Sequence, residues 1–99
     1  MYQDEVAQNP EMRAVIAANM ALSKAGKGMP IQVVERLNDG LWVALNCSVD
    51  LLGDVACMLN KLGCEARSAP RTSLFVPFRD TVRDNFQWFI RINGGPDGK

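Results

Sequence analysis

Two apolar runs flank the triplet Asn38-Asp39-Gly40, and no other feature constrains the fold as much. Turn-forming residues between alternating apolar stretches specify an antiparallel hairpin, here over Ile31 to Cys47. A three-residue loop with Gly40 at the left-handed position pairs Leu37 with Leu41, Glu35 with Val43, Val33 with Leu45 and Ile31 with Cys47. One face then gathers seven apolar residues, with Glu35 as its sole polar member. A two-residue Asp39-Gly40 loop would instead set Arg36 against Val43. A slip of one residue reverses every side chain, so the apolar face selects the three-residue loop.

Helix punctuation surrounds this hairpin. Asn9-Pro10-Glu11 supplies an N-cap, a proline at the first helical position and an acid for the positive helix end. That helix runs to Ala25, with Gly26 as its stop. Gly26-Lys27-Gly28 follows a helix and precedes a strand, the reverse of a phosphate-binding loop. Ser48 caps a second helix reaching about Leu62, stopped by Gly63. Leu51, Leu52, Val55, Met58, Leu59 and Leu62 share its apolar face. Cys64 to Arg67 reads as a short strand, Ser68 to Thr72 as a turn, and Leu74-Phe75-Val76 as a strand limited by Pro77.

The last segment carries two patterns. Asp80 can cap a helix with Val82, Phe86, Phe89 and Ile90 on one face, stopped at Asn93-Gly94; Phe86, Trp88, Ile90 and Ile92 alternate as in a strand. Capping and stop signals favour the helix. The expected fold is α+β: an N-terminal helix, an antiparallel β-hairpin, a packed helix, short additional strands and a C-terminal helix. It forms a single small domain over residues 1–93, with 94–99 as a flexible tail. A chain of 99 residues buries roughly 65% of its unfolded surface, enough for a core without disulfides or metal.

Eleven Lys and Arg balance eleven Asp and Glu, so bulk charge gives no pull toward nucleic acid or anionic membrane. The distribution is uneven: residues 1–50 hold four basic and six acidic side chains, and residues 61–91 hold six basic and three acidic. Histidine is absent, which removes Ser-His and Cys-His nucleophile pairs and histidine-ligated metal. Cys47, Cys57 and Cys64 are odd in number, and their spacing fits no zinc pattern. No cofactor or metal is expected. The acidic start Met1-Tyr2-Gln3-Asp4-Glu5 lacks a signal-peptide pattern, and no apolar run is long enough for a membrane span. A reducing, cytoplasmic location is expected.

Four features are candidates for function. Ala14, Ala18, Ala21 and Ala25 repeat at coiled-coil spacing, which predicts a helix–helix contact with a second copy in a homodimer. In the hairpin register above, Arg36 lies across from Trp42 and beside Val34, a patch suited to binding a protein partner. Arg67, Arg71, Arg79 and Arg83 gather near the later loops. Glu35 and Cys57 are isolated reactive groups without partnered chemistry, a poor basis for an active site.

These features favour a non-enzymatic macromolecule-binding protein that occupies a partner protein's surface through Val34, Arg36, Trp42, Arg67 and Arg71. In size and composition the chain is similar to small inhibitors and regulators of phages and mobile elements, including inhibitors of bacterial defence. The alternative is an RNA or single-stranded nucleic-acid-binding module, with Trp42 as stacking platform and Arg36, Arg67 and Arg71 as phosphate contacts.

Overall fold

A computed structural model describes residues 10–37, 40–73 and 76–94. Its element order is α1 (Pro10–Lys24), β1 (Ile31–Leu37), β2 (Gly40–Leu45), α2 (Val49–Lys61), β3 (Cys64–Pro70), α3 (Asp80–Asn85) and β4 (Trp88–Gly94). The strands form one antiparallel sheet in the order β1-β2-β4-β3. This is the α+β domain that the punctuation predicts. Among the described residues, no helix is long and apolar enough to cross a membrane.

The second long helix follows its capping signal, whereas the expected cap of the first, Asn9, lies outside the described residues. α1 begins at Pro10 and buries Ala14, Val15, Ala18 and Leu22. The Ser48 hydroxyl accepts the Leu51 N–H at 3.1 Å, closing the first turn of α2. Leu52, Val55 and Leu59 then lie on its buried face. These residues pack with Leu41, Val43, Leu45, Ile90 and Ile92, the main core between the helices and one sheet face. Asn19 ties α1 to the sheet: its side-chain amide donates to the Ile31 carbonyl (3.1 Å) and accepts the Ile31 N–H (3.2 Å).

The opposite sheet face is also covered. Trp42, Ala44 and Phe89 pack there with Val76 and Phe78, supported by Val82 and Phe86. Phe78 stacks tilted against Phe89 with centroids 5.1 Å apart and meets Trp42 edge-on at 6.2 Å. Every residue from Leu41 to Leu45 is therefore buried.

That double burial corrects the hairpin register. Leu37 pairs with Gly40, Arg36 with Leu41, Glu35 with Trp42, Val34 with Val43 and Val33 with Ala44. The turn thus holds two residues, Asn38 and Asp39, which themselves lie outside the described residues. The three-residue loop is favoured only if all burial lies on one face. With β2 buried on both faces, that criterion loses its force, and β1 sits one residue away from the expected pairing. A register shift between Ile31 and Val33 then returns Ile31 to the helical side, opposite Leu45. Gly40 does adopt positive φ (138°), and a Cβ there would lie 2.7 Å from Asn93 Oδ1.

The C-terminal helix is likewise corrected. Asp80 does begin a helix, but it ends at Asn85, and the alternating residues from Trp88 onward form β4. β4 is a central strand, paired on both edges. Its Phe89, Ile90 and Ile92 are fully buried, which rewards their β-branched and aromatic character over the capping pattern. Gly94 belongs to this strand rather than to a tail, and residues 95–99 lie outside the described set. β3 continues to Pro70 where a turn was expected from Ser68. The strand expected at Leu74-Phe75-Val76 falls mostly on residues outside the described set, and Val76 is in no strand.

Phe89→Ala should lower unfolding free energy by about 3–5 kcal/mol, the range for deleting a buried aromatic side chain. Ile16, exposed on α1, should cost about 0.5 kcal/mol or less when replaced by alanine. Denaturant titration of the two variants distinguishes them; equal losses would contradict this assignment of the core.

Candidate functional site

Cross-strand registration sets neighbouring rows on the sheet face away from α1 and α2. One row, Val33-Ala44-Phe89-Ala69, lies beneath Val76, Phe78, Val82 and Phe86. The next row aligns Glu35, Trp42, Arg91 and Arg67, one residue from each strand. Here a groove of about 600 Å³ is lined by Trp42, Arg67, Ser68, Ala69, Pro70, Ser73 and Arg91.

Arg67 and Arg91 are direct cross-strand partners. Both guanidiniums thus belong to one row on the groove face of the sheet. Each guanidinium offers a planar array of donors that matches a carboxylate in bidentate fashion. Arg67 also contacts Glu65 at 3.2 Å, but both side chains are mostly exposed, so that ion pair is weak and exchangeable. Ala69, Pro70 and the small exposed rim of Trp42 add apolar surface and Ser73 lies at the border, while Ser68, paired with Ile90, contributes backbone only.

The crossover between β3 and β4 borders this groove and is fastened by polar contacts. The Arg83 guanidinium donates to the carbonyls of Arg71 and Ser73, both at 3.1 Å. Arg71 donates from its side chain to the Asp84 carbonyl (3.2 Å) and from its backbone to Gln87 (3.1 Å). Asn46 closes the far end, donating to the Asn85 carbonyl (2.9 Å) and accepting the Gln87 N–H (2.8 Å). Two members of the predicted arginine cluster, Arg71 and Arg83, thus hold the loop together. Arg79 is exposed where α3 starts.

The predicted patch of Val34, Arg36 and Trp42 does not assemble. Val34 is half-buried against the helical core, and Arg36 stands on that same face, paired with Glu11 of α1 at 3.3 Å. Trp42 lies on the other face and is only 5% exposed. The cause is the one-residue register difference, which reverses β1 relative to β2. Glu35 therefore sits with Trp42 rather than in the helical core.

Trp42 and Arg67 do meet, joined by Arg91, which sequence reasoning overlooked. Its signal was a charge inside the alternating run Trp88-Phe89-Ile90-Arg91-Ile92, hidden while that run was read as helix.

The alanine stripe is also corrected as a surface for a second copy. Ala14 and Ala18 are fully buried in the domain's own core. Ala21 is half-buried and Ala25 exposed, and both line a small cavity with Asp54, Cys57, Met58 and Lys61 of α2. Small side chains on α1 thus serve packing within the chain, where Lys27 and Asp54 add an ion pair at 2.7 Å.

Cys47, Cys57 and Cys64 are free thiols. Among the described residues, no three His, Cys, Asp or Glu side chains are placed to share a metal ion. Burial pushes the Cys47 thiol up. The Cys64 thiol is raised by burial first and by the Glu11 carboxylate second. No family model, curated protein or solved structure matches the chain.

Two outcomes follow for these side chains. Arg83→Ala should cost about 1–2 kcal/mol and speed amide exchange across residues 71–86, since charged hydrogen bonds to two carbonyls are lost. Arg67→Gln should change stability by no more than about 0.5 kcal/mol. The reverse ranking would contradict these roles. A raised thiol pKa in the folded state means that the unfolded chain ionises first. Stability from Cys64 is thus full below about pH 9 and falls as pH rises through the raised folded value. Cys64→Ala should flatten the alkaline decline in denaturation midpoint, and an unchanged slope would contradict the coupling.

Proposed function

We propose that this protein is a non-enzymatic binding protein that occupies an acidic stretch of a partner protein's surface. The groove beside Trp42 is its contact region. One observation carries the reading: Arg67 and Arg91 are direct cross-strand partners at a groove with apolar walls. Paired guanidiniums recognise carboxylates, and adjacent apolar surface supplies the desolvated contact that arginine anchors need. Action by surface occupation makes it an inhibitor or regulator in kind.

An RNA or single-stranded nucleic-acid role draws on the same arginines. Stacking, however, needs an accessible aromatic face, and Trp42 is almost wholly buried against Phe78. This supports the protein partner over the nucleic acid.

Affinity capture from the native host with wild type and Arg67→Glu should yield a partner that the variant fails to retain. Measured with that purified partner, the variant should bind at least about tenfold more weakly, a loss of about 1.4 kcal/mol. Undiminished binding would overturn the proposal. Retardation of single-stranded RNA at low salt, lost steeply toward physiological salt, would favour the nucleic-acid reading instead.

A further inference from the structure

The sheet has two edges, and they are treated differently. At the β1 edge, Asn19 occupies both the N–H and the carbonyl of Ile31. The strand also carries a register shift between Ile31 and Val33, and Arg36 is drawn toward Glu11. Irregular pairing and side-chain cover are the usual protections of a strand edge.

The β3 edge has a regular ladder. All seven residues from Cys64 to Pro70 pair with β4 without a register shift. Among the described residues, β3 is the terminal strand of the sheet. Pro70 fits this place, since proline lacks the N–H that a central strand would need. The binding groove runs along this strand, with Arg67, Ser68, Ala69 and Pro70 all lining it.

We infer that β3 receives an extended, acidic segment of the partner as a fifth strand. The inference rests on the groove being the contact surface and specifies how it is used. Main-chain hydrogen bonds to the outward-facing groups of Cys64, Ala66 and Ser68 supply register and affinity, since the alternate residues bond to β4. A carboxylate opposite Arg67, on the groove face, supplies selectivity through cross-strand charge pairing. A basic segment is rejected at the same position. Glu65, two residues before Arg67 and in contact with it, releases that guanidinium when the incoming acid arrives.

The test uses the full chain, labelled with nitrogen-15, and three seven-residue peptides. One alternates valine and glutamate, the second has the same sequence with every other amide N-methylated, and the third carries lysine for glutamate. Strand addition predicts that the first peptide shifts the amides of residues 64–69 and newly protects the outward-facing N–H groups of Cys64, Ala66 and Ser68. N-methylation should weaken binding at least about tenfold, and the lysine peptide should not bind. Equal affinity of the first two peptides overturns strand addition while leaving the acidic groove intact. Failure of the first peptide, with the captured partner still lost by Arg67→Glu, has the same meaning. Failure of the first peptide together with unchanged partner binding by Arg67→Glu removes both the strand and the groove.

Discussion

The structure depends on burying β2 and β4 on both faces. Leu41, Val43, Leu45, Ile90 and Ile92 face the two long helices, while Trp42, Ala44 and Phe89 face Val76 and Phe78. A central strand pair that is apolar on both sides needs cover on both sides. α1 and α2 satisfy one side. On the other, the crossover from β3 to β4 lays Phe78, Val82 and Phe86 over the sheet, fastened by Arg83 and Asn46. That cover borders a row in which arginines replace core residues, and the groove forms there.

The helices were legible because their signals are local. Pro10 and Ser48 mark starts, and Gly26 and Gly63 mark stops, whatever the surrounding chain does. Register and face assignment were not legible, because they depend on what packs against each face. The run Leu41-Trp42-Val43-Ala44-Leu45 looks the same whether one side or both are buried, and the choice moved Arg36 away from Trp42. The final segment shows the same limit. A helix does start at Asp80, with Arg79 rather than Asp80 at the cap position, yet the partners of Trp88 to Ile92 lie some twenty to fifty residues earlier on β2 and β3. Long-range pairing overrides local preference there.

The alanines of α1 are likewise decided by what packs against them. Their spacing does report a close helix contact, but the facing helix is α2 of the same chain. α1 instead exposes Ile16 and Met20, the larger side chains of its outer face. Single exposed apolar residues of this kind are ordinary on protein surfaces. The groove differs in combining two opposed guanidiniums and apolar surface at the regular edge of a sheet.

Amide hydrogen exchange of the protein with its captured partner, compared with the free chain, locates the contact surface. Protection concentrated in residues 64–73 and 88–93, with α1 unchanged, is the predicted result. Protection centred on Ile16 and Met20, with β3 and β4 unaltered, would contradict it and assign the contact to the outer face of α1.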